Sequence, residues 1–165
     1  MISKQDLLKH GQEEFATTLK VLKSFPSDRK DFRPHERSSD AMKLTSTFVF
    51  EMYLLNGYLF GDPIDRSLFQ NYKPESLEAV IKDFEKESSH ALSRLQDLPE
   101  AELGKTIQFG GRSFTGEEFA LMMICDQIHH RGQLSVYVRM AGGKVPSIYG
   151  PSADDPGTNL AGAQN

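Results

Sequence analysis

Apolar side chains recur every three or four residues in four long segments of this chain. The segments cover approximately residues 3–24, 38–60, 74–98 and 115–141. This spacing places the apolar side chains on one face of an α-helix and leaves the polar residues between them facing solvent. In the second segment the apolar face is formed by Leu44, Phe48, Met52, Leu55 and Leu59. Four amphipathic helices of this length are typical of a four-helix bundle.

Capping residues at the starts of these segments support the helical interpretation. Ser3 is a predicted N-cap, and Ser38 or Ser39 is predicted to cap the second helix, because a side-chain oxygen there can accept a free backbone N–H. Thr115 is followed three residues later by Glu118, which is the spacing of a capping box. The last helix is therefore predicted to begin directly after Thr115.

A short interruption of the helical pattern separates the third and fourth segments. Two strand-like stretches, 106–109 and 112–114, flank Gly110 and Gly111. Paired glycines at this position are typical of a two-residue hairpin turn, because both turn residues require positive φ. We therefore predict an all-α fold, a four-helix bundle with a short β-hairpin before the last helix. Residues 1–153 are predicted to form the bundle, and residues 154–165 a flexible C-terminal tail.

The composition is that of one globular domain. The chain has 165 residues, of which 38% are hydrophobic and 25% charged, and its formal net charge is −4. Nucleic-acid binding requires clustered Lys and Arg, so this balance argues against a nucleic-acid partner. No apolar run reaches the roughly 20 residues that span a bilayer, and residues 1–6 lack the apolar region of a signal peptide. We therefore expect a cytoplasmic protein without a membrane partner.

Ionisable residues interrupt the apolar pattern of the last helix. Asp126 and His130 are four residues apart, so both side chains lie on one face of the helix, one turn apart. This spacing allows one helix to offer two ligands to a metal ion, and it equally allows a buried Asp–His hydrogen bond. Cys125, the single cysteine, lies in an apolar run and is predicted to be a small buried hydrophobic residue.

Three neighbours of His130 are predicted to have other roles. Arg131 can anchor a carboxylate or loop carbonyls through its planar guanidinium group. Tyr137, two turns beyond His130, either lines the same cavity or is a core aromatic residue whose hydroxyl has a partner. His129 points about 100° away around the helix and is predicted to pack or support rather than to bind a metal.

The chain resembles the DinB-like (DinB/YfiT-like) superfamily in its last helix and the segment that follows. The run from His129 to Arg139, the run from Val145 to Asp154 and the stretch Arg33–Ser38 before the second helix carry the resemblance. It implies an up-down-down-up bundle that commonly forms homodimers. It also implies one divalent metal bound by three histidines, one from the second helix and two from the last. Enzymes of the superfamily are transferases, hydrolases and isomerases that use small-molecule thiols.

The family's metal site is only partly retained in this sequence. His130 matches the final histidine ligand, Asp126 stands where the histidine four residues earlier would be, and Thr47 occupies the usual position on the second helix. Glu51 lies one turn after Thr47 and would supply the missing ligand. We therefore hypothesise a site of Glu51, Asp126 and His130 for Zn, Ni, Mn or Fe, of which Mn or Fe suits two carboxylates and one imidazole better than Zn. The alternative is a metal-free polar network of the same three residues.

Two functions follow from these alternatives. The first is a divalent-metal-dependent transferase or hydrolase with a thiol or water nucleophile, in which Glu51 is a third ligand or a general base. A homodimer and a small-molecule thiol substrate would accompany it. The second is a non-catalytic, stress-associated bundle that has lost the three-histidine site. Thr47 and Asp126 favour this second interpretation.

Overall fold

Four long helices form the body of the protein. The computed structural model describes residues 2–65, 67 and 71–156. The helices are α1 (Lys4–Ser24), α2 (Ala41–Phe60), α3 (Leu77–Asp97) and α4 (Gly116–Met140). Each helix buries its apolar face in one continuous core. None of the helices described has the length and apolarity needed to cross a membrane.

The caps agree with the sequence at two helices and differ at a third. Ser3 accepts a hydrogen bond from the backbone N–H of Asp6, and Thr115 and Glu118 form the predicted capping box. The second helix is capped by Asp40, which directly follows the two predicted candidates, Ser38 and Ser39. Asp40 accepts from the backbone N–H of Lys43 at 2.8 Å. Its carboxylate also has a favourable interaction with the positive end of the helix dipole, which a serine hydroxyl lacks.

Contacts at the helix ends give the direction of α1 relative to its two neighbours, α3 and α4. The backbone N–H of Ile2, just before α1, donates to Glu117 in the first turn of α4. The ammonium of Lys4, at the start of α1, donates to the carbonyl of Leu98, just after α3. Helix α1 is therefore parallel to α4 and antiparallel to α3.

Helix α2 packs against the same two neighbours in the opposite sense. The hydroxyl of Tyr137, near the end of α4, donates to the carbonyl of Ser39, just before α2. Arg94, near the end of α3, donates to the carbonyl of Phe60 at the end of α2. Helix α2 is therefore antiparallel to α4 and parallel to α3, which confirms the up-down-down-up order implied by the resemblance.

The predicted hairpin precedes α4. Strand β1 (Thr106–Phe109) pairs antiparallel with β2 (Arg112–Thr115). Gly110 and Gly111 form the turn with φ of 57° and 75°, a conformation that L side chains rarely adopt. The hairpin is therefore fixed by the turn chemistry visible in the sequence.

An aromatic cluster attaches the hairpin to the bundle. The ring of Phe109 lies 5.3 Å from that of Tyr58 on α2 and 5.4 Å from that of Phe119 on α4. Edge-to-face contacts of this kind add to the apolar area that the rings bury. The hairpin consequently covers one end of the seam between α2 and α4.

The segment after α4 folds back on the bundle. Asp154 accepts hydrogen bonds from the Arg139 side chain and from the backbone N–H of Val145. Asp155 accepts from the backbone N–H of Ser147. The first two residues of the predicted tail are thus bonded to the structure, and residues 157–165 of that tail lie outside the described residues.

Candidate metal centre

The three residues of the hypothesised site meet at the seam between α2 and α4. Glu51 is on α2, and Asp126 and His130 occupy consecutive turns of α4. One ligand atom from each lies within 4.8 Å of the other two. The side-chain amide of Gln127 donates to the carbonyl of Phe48 at 3.0 Å and holds the two helices in this register. Helix α4 therefore supplies two of the three residues, and its antiparallel packing against α2 brings in the third, Glu51.

The imidazole of His130 lies between the two carboxylates. Its Nε2 is 3.3 Å from Oε1 of Glu51 and 3.7 Å from Oδ1 of Asp126. The exposed fractions of the side chains are 4% for Glu51, 22% for His130 and 46% for Asp126. The group is therefore buried at Glu51 and open to solvent at Asp126.

The carboxylate of Glu51 has no hydrogen-bond donor among the described residues that meets ordinary geometry at either oxygen. Burial is the largest of three causes that together raise its pKa to about 9, and the other two are the negative charge of Asp126 and a side-chain hydrogen bond with that carboxyl. Burying an unpaired carboxylate is costly, so Glu51 holds a proton at neutral pH unless a cation stands beside it. A cation beside Glu51 would stabilise its ionised form, so the group has the electrostatics of a possible metal-ligand set.

Gln133, one turn further along α4, is the polar neighbour of the His130 imidazole on the side away from Nε2. Nδ1 of His130 is 3.3 Å from the side-chain carbonyl oxygen of Gln133. The amide nitrogen of Gln133 in turn lies 2.8 Å from Nε2 of His129. With the proton on Nδ1 donated to Gln133, the lone pair of Nε2 is directed at Glu51 and Asp126. A second partner of this kind orients most metal-binding histidines.

The donor set fits a divalent metal ion. Two carboxylate oxygens and one imidazole nitrogen bind Mn, Fe, Ni or Zn, and the hard oxygen donors favour the first two. The half-exposed Asp126 leaves room for a further ligand. The role of Gln133 was not predicted from the sequence, although its position three residues after His130 is the spacing at which a helical side chain reaches its neighbour.

Thr47 does not join this group. Its hydroxyl donates to the carbonyl of Lys43, one turn earlier, at 3.2 Å. Thr and Ser in helices commonly make this bond, which leaves the hydroxyl poorly available to a metal. Glu51, one turn later, is the member of the group that α2 supplies.

Arg131 is a structural anchor, as predicted. Its guanidinium group is buried, and it donates to the carbonyl and the carboxylate of Glu14 at 3.0 and 2.6 Å. It also donates to the hydroxyls of Thr18 and Tyr149 and stacks on the Tyr149 ring. The bonds join α1, α4 and the segment after α4 on the side of α4 away from Glu51.

Two other predictions near the site have different outcomes. Tyr137 is a buried core residue whose hydroxyl is bonded to Ser39, which decides between its two alternatives. The prediction for Cys125 was wrong, because its side chain is exposed. Four consecutive apolar or weakly polar residues, 122–125, surround the helix there, so the pattern alone does not identify the buried face.

Comparison with known proteins confirms the family resemblance. A model of the DinB family matches residues 1–160. The uncharacterized protein YjoA of Bacillus subtilis strain 168 is 26% identical over 148 residues, which are 86% of this chain and 93% of YjoA. The uncharacterized protein YrdA of the same strain is 30% identical over 83 residues, so the match spans about half the length of YrdA and 50% of this chain.

Two crystal structures share the fold. The DinB-like YjoA of B. subtilis aligns with a TM-score of 0.65 at 26% identity, over 82% of this chain and 91% of YjoA. A DinB-like protein from Bacillus cereus ATCC 10987 aligns with a TM-score of 0.78 at 21% identity, over 88% of this chain and 97% of that protein. The second likeness bears on the fold alone.

Proposed function

This chain belongs to the DinB family, and we propose that it is a divalent-metal-dependent transferase or hydrolase with a thiol or water as its nucleophile. The observation that supports this function best is the buried carboxylate of Glu51, which accepts no well-formed hydrogen bond from the described residues and lies 3.3 Å from Nε2 of His130, beside Asp126. A protein that gained nothing from the site would lower its free energy by replacing this carboxylate with an apolar side chain.

Glu51, Asp126 and His130 would hold the metal ion, which when bound supplies a Lewis acid that lowers the pKa of a thiol or water. Asp126, the most exposed of the three, faces an incoming molecule and is placed to take up the proton that a thiol or water loses. Glu51 is too deeply buried to meet a substrate directly, so we assign it to metal binding rather than to the general-base role also considered. Gln133 keeps the lone pair of His130 turned toward the site.

Metal content tests the proposal directly. Purified protein is treated with chelator, dialysed separately against Zn, Ni, Mn and anaerobic Fe(II), and analysed by mass spectrometry of the bound metal. We expect about one ion per chain for the wild type and a large loss for Glu51→Gln and for His130→Ala. Thr47→Ala is the matched control, because its hydroxyl is bonded within α2. A wild-type content near zero, or one that His130→Ala leaves unchanged, would contradict the proposal.

The engagement of Thr47 within its own helix favours one alternative, a non-catalytic, stress-associated bundle. The substitution of the family's α2 histidine by a residue that does not reach the site is what loss of function would produce. This alternative predicts no metal and no transfer of small-molecule thiols to electrophilic substrates by the metal-treated protein. The metal analysis and a thiol-consumption assay on the same samples separate the two functions.

We further propose a homodimer in the cytoplasm, with the C-terminal half of α4 as its interface. Val136 and Met140 are 54% and 56% exposed, and they lie four residues apart on one face of α4. Apolar side chains at this spacing suit the same face of a second copy across a twofold axis. Sedimentation analysis tests this idea, since Val136→Lys should shift a dimer toward monomer, whereas a wild-type monomer would refute it.

A further inference from the structure

A groove continues from the candidate metal centre toward the hairpin. It has a volume of about 370 Å³ and lies along the seam between α2 and α4. Its lining residues are Leu54, Phe109, Met122, Met123, Cys125 and Asp126. Pockets for small molecules in proteins begin at about this size. The groove and the metal centre share Asp126.

Helical spacing makes the groove and the metal centre successive turns of one seam. Leu54 follows Glu51 by three residues on α2, and Met122 precedes Asp126 by four on α4. Because α2 and α4 are antiparallel, both steps lead in the same direction, away from His130. Phe109 of the hairpin lies at the far end. A molecule bound in the groove would therefore have one end at the carboxylate of Asp126.

The walls of the groove are apolar, and its charge is confined to one end. Leu54, Phe109 and Met122 are partly exposed, so they offer apolar surface to a ligand. Among the described residues, the lining contains neither Lys nor Arg, and Asp126 is its single carboxylate. Flexible methionine side chains adapt to ligands of different shape. These features favour an uncharged apolar body and disfavour an anionic one, which would find no cation along the walls.

We propose that the groove binds the apolar chain or ring of an amphiphilic small-molecule substrate, whose polar head reaches the metal centre on its open side, at Asp126. This inference rests on the proposed function, since the metal centre supplies the site for the polar head. The groove would select substrates by their apolar part, and Glu51, Asp126 and His130 would hold the metal ion that supplies the Lewis acid.

A series of alkyl hydroxamates tests the inference, because the hydroxamate head binds divalent metals and the tail length can be varied. Titration calorimetry on metal-loaded protein would give affinities from acetohydroxamate to octanohydroxamate. We expect affinity to rise about two- to fourfold for each methylene that enters the groove, so that about three buried methylenes would give roughly 10- to 60-fold over the series. A wild-type affinity that does not change with tail length would overturn the inference.

Substitutions assign the effect to the groove. Leu54→Gln and Met122→Gln should remove most of the dependence on tail length while leaving metal content and acetohydroxamate affinity unchanged. Leu121→Gln is the matched control, because Leu121 is exposed on the same helix outside the groove. Cys125→Ser should retain the length dependence and so exclude a contribution from the thiol. Equal effects of the Leu121 and groove substitutions would contradict the assignment.

The metal analysis distinguishes failure of the inference from failure of the proposed function. If the metal-loaded protein binds all hydroxamates equally well, the groove does not bind the apolar part of the ligand, and the metal-dependent function is unaffected. A protein that takes up no metal refutes the function and, with it, the premise of the inference. Thermal unfolding of each variant verifies that it is folded. Because there are two independent groove substitutions, the test can still be made if one of the two variants does not fold.

Discussion

Replacement of Glu51 by glutamine should change how the stability of the metal-free protein depends on pH. The pKa of Glu51 is raised from 4.5 to about 9 in the folded protein. Between these values the folded state holds a proton that the unfolded state releases. The free energy of unfolding therefore falls as pH rises through this window. Glutamine resembles the protonated carboxyl group in shape but does not titrate, so the variant lacks this contribution to the pH dependence.

The size of the effect follows from the linkage between proton binding and folding. One extra proton in the folded state gives a limiting slope of about 1.4 kcal/mol per pH unit. From pH 6 to pH 8 the upper limit is thus about 3 kcal/mol. Asp126 is half exposed and its charge is screened by solvent, so we expect the difference between wild type and Glu51→Gln to change by about 1–2 kcal/mol over this range.

Urea unfolding in the presence of chelator, at pH 6, 7 and 8, measures this difference. Glu36→Gln is the control, because Glu36 is exposed in the loop before α2 and its removal should leave the pH dependence unchanged. Added metal should stabilise the wild type and release about one proton per ion at pH 7, because the ion displaces the proton that Glu51 holds in the metal-free protein. A difference between wild type and Glu51→Gln that stays constant from pH 6 to pH 8 would refute the assignment of a buried protonated Glu51.

Three further substitutions test the supporting structure. Gln133→Ala should weaken metal binding about 10-fold without lowering the melting temperature, because it frees the imidazole of the site; an unchanged affinity in calorimetry would contradict this. Arg131→Ala should lower the free energy of unfolding by about 3–5 kcal/mol, since it removes the ion pair with Glu14 and leaves that mostly buried carboxylate with only the Tyr149 hydroxyl among its described donors; a loss below 1 kcal/mol in urea unfolding would refute that role. Gly11→Ala should raise this free energy by about 1 kcal/mol through helix propensity, provided that the Leu92 methyl 3.2 Å from the new carbon moves slightly; a decrease in stability would show that it cannot.

The helices and the hairpin were predictable from the sequence because their causes are local. Helical periodicity, the Thr115–Glu118 capping box and the paired glycines each act within a few residues of themselves. The choice of Asp40 over Ser38 and Ser39 was not predictable, because three adjacent residues can all cap a helix. Periodicity also did not predict how the helices are arranged in space. The up-down-down-up arrangement was predicted from the family resemblance.

The candidate site was predictable only in part, for a related reason. Asp126 and His130 share a helix face, so their proximity follows from spacing alone. The proximity of Glu51 depends on the register between α2 and α4, which is a property of tertiary packing. The lack of a described hydrogen-bond donor at its carboxylate depends on all the side chains that pack around it. The exposed side chain of Cys125 was misassigned because the apolar run 122–125 extends around the helix.

The hydrogen bond from Gln127 to the carbonyl of Phe48 has a consequence for metal selectivity. It joins α2 and α4 beside the site, where a slip of one residue would displace the helices by about 1.5 Å. Metal–ligand distances vary by only about 0.2 Å for a given ion. The radius of the ion that the site accepts would therefore depend on the packing of two helices, and relatives with the same three ligands but a different residue at position 127 would differ in the metal that they prefer.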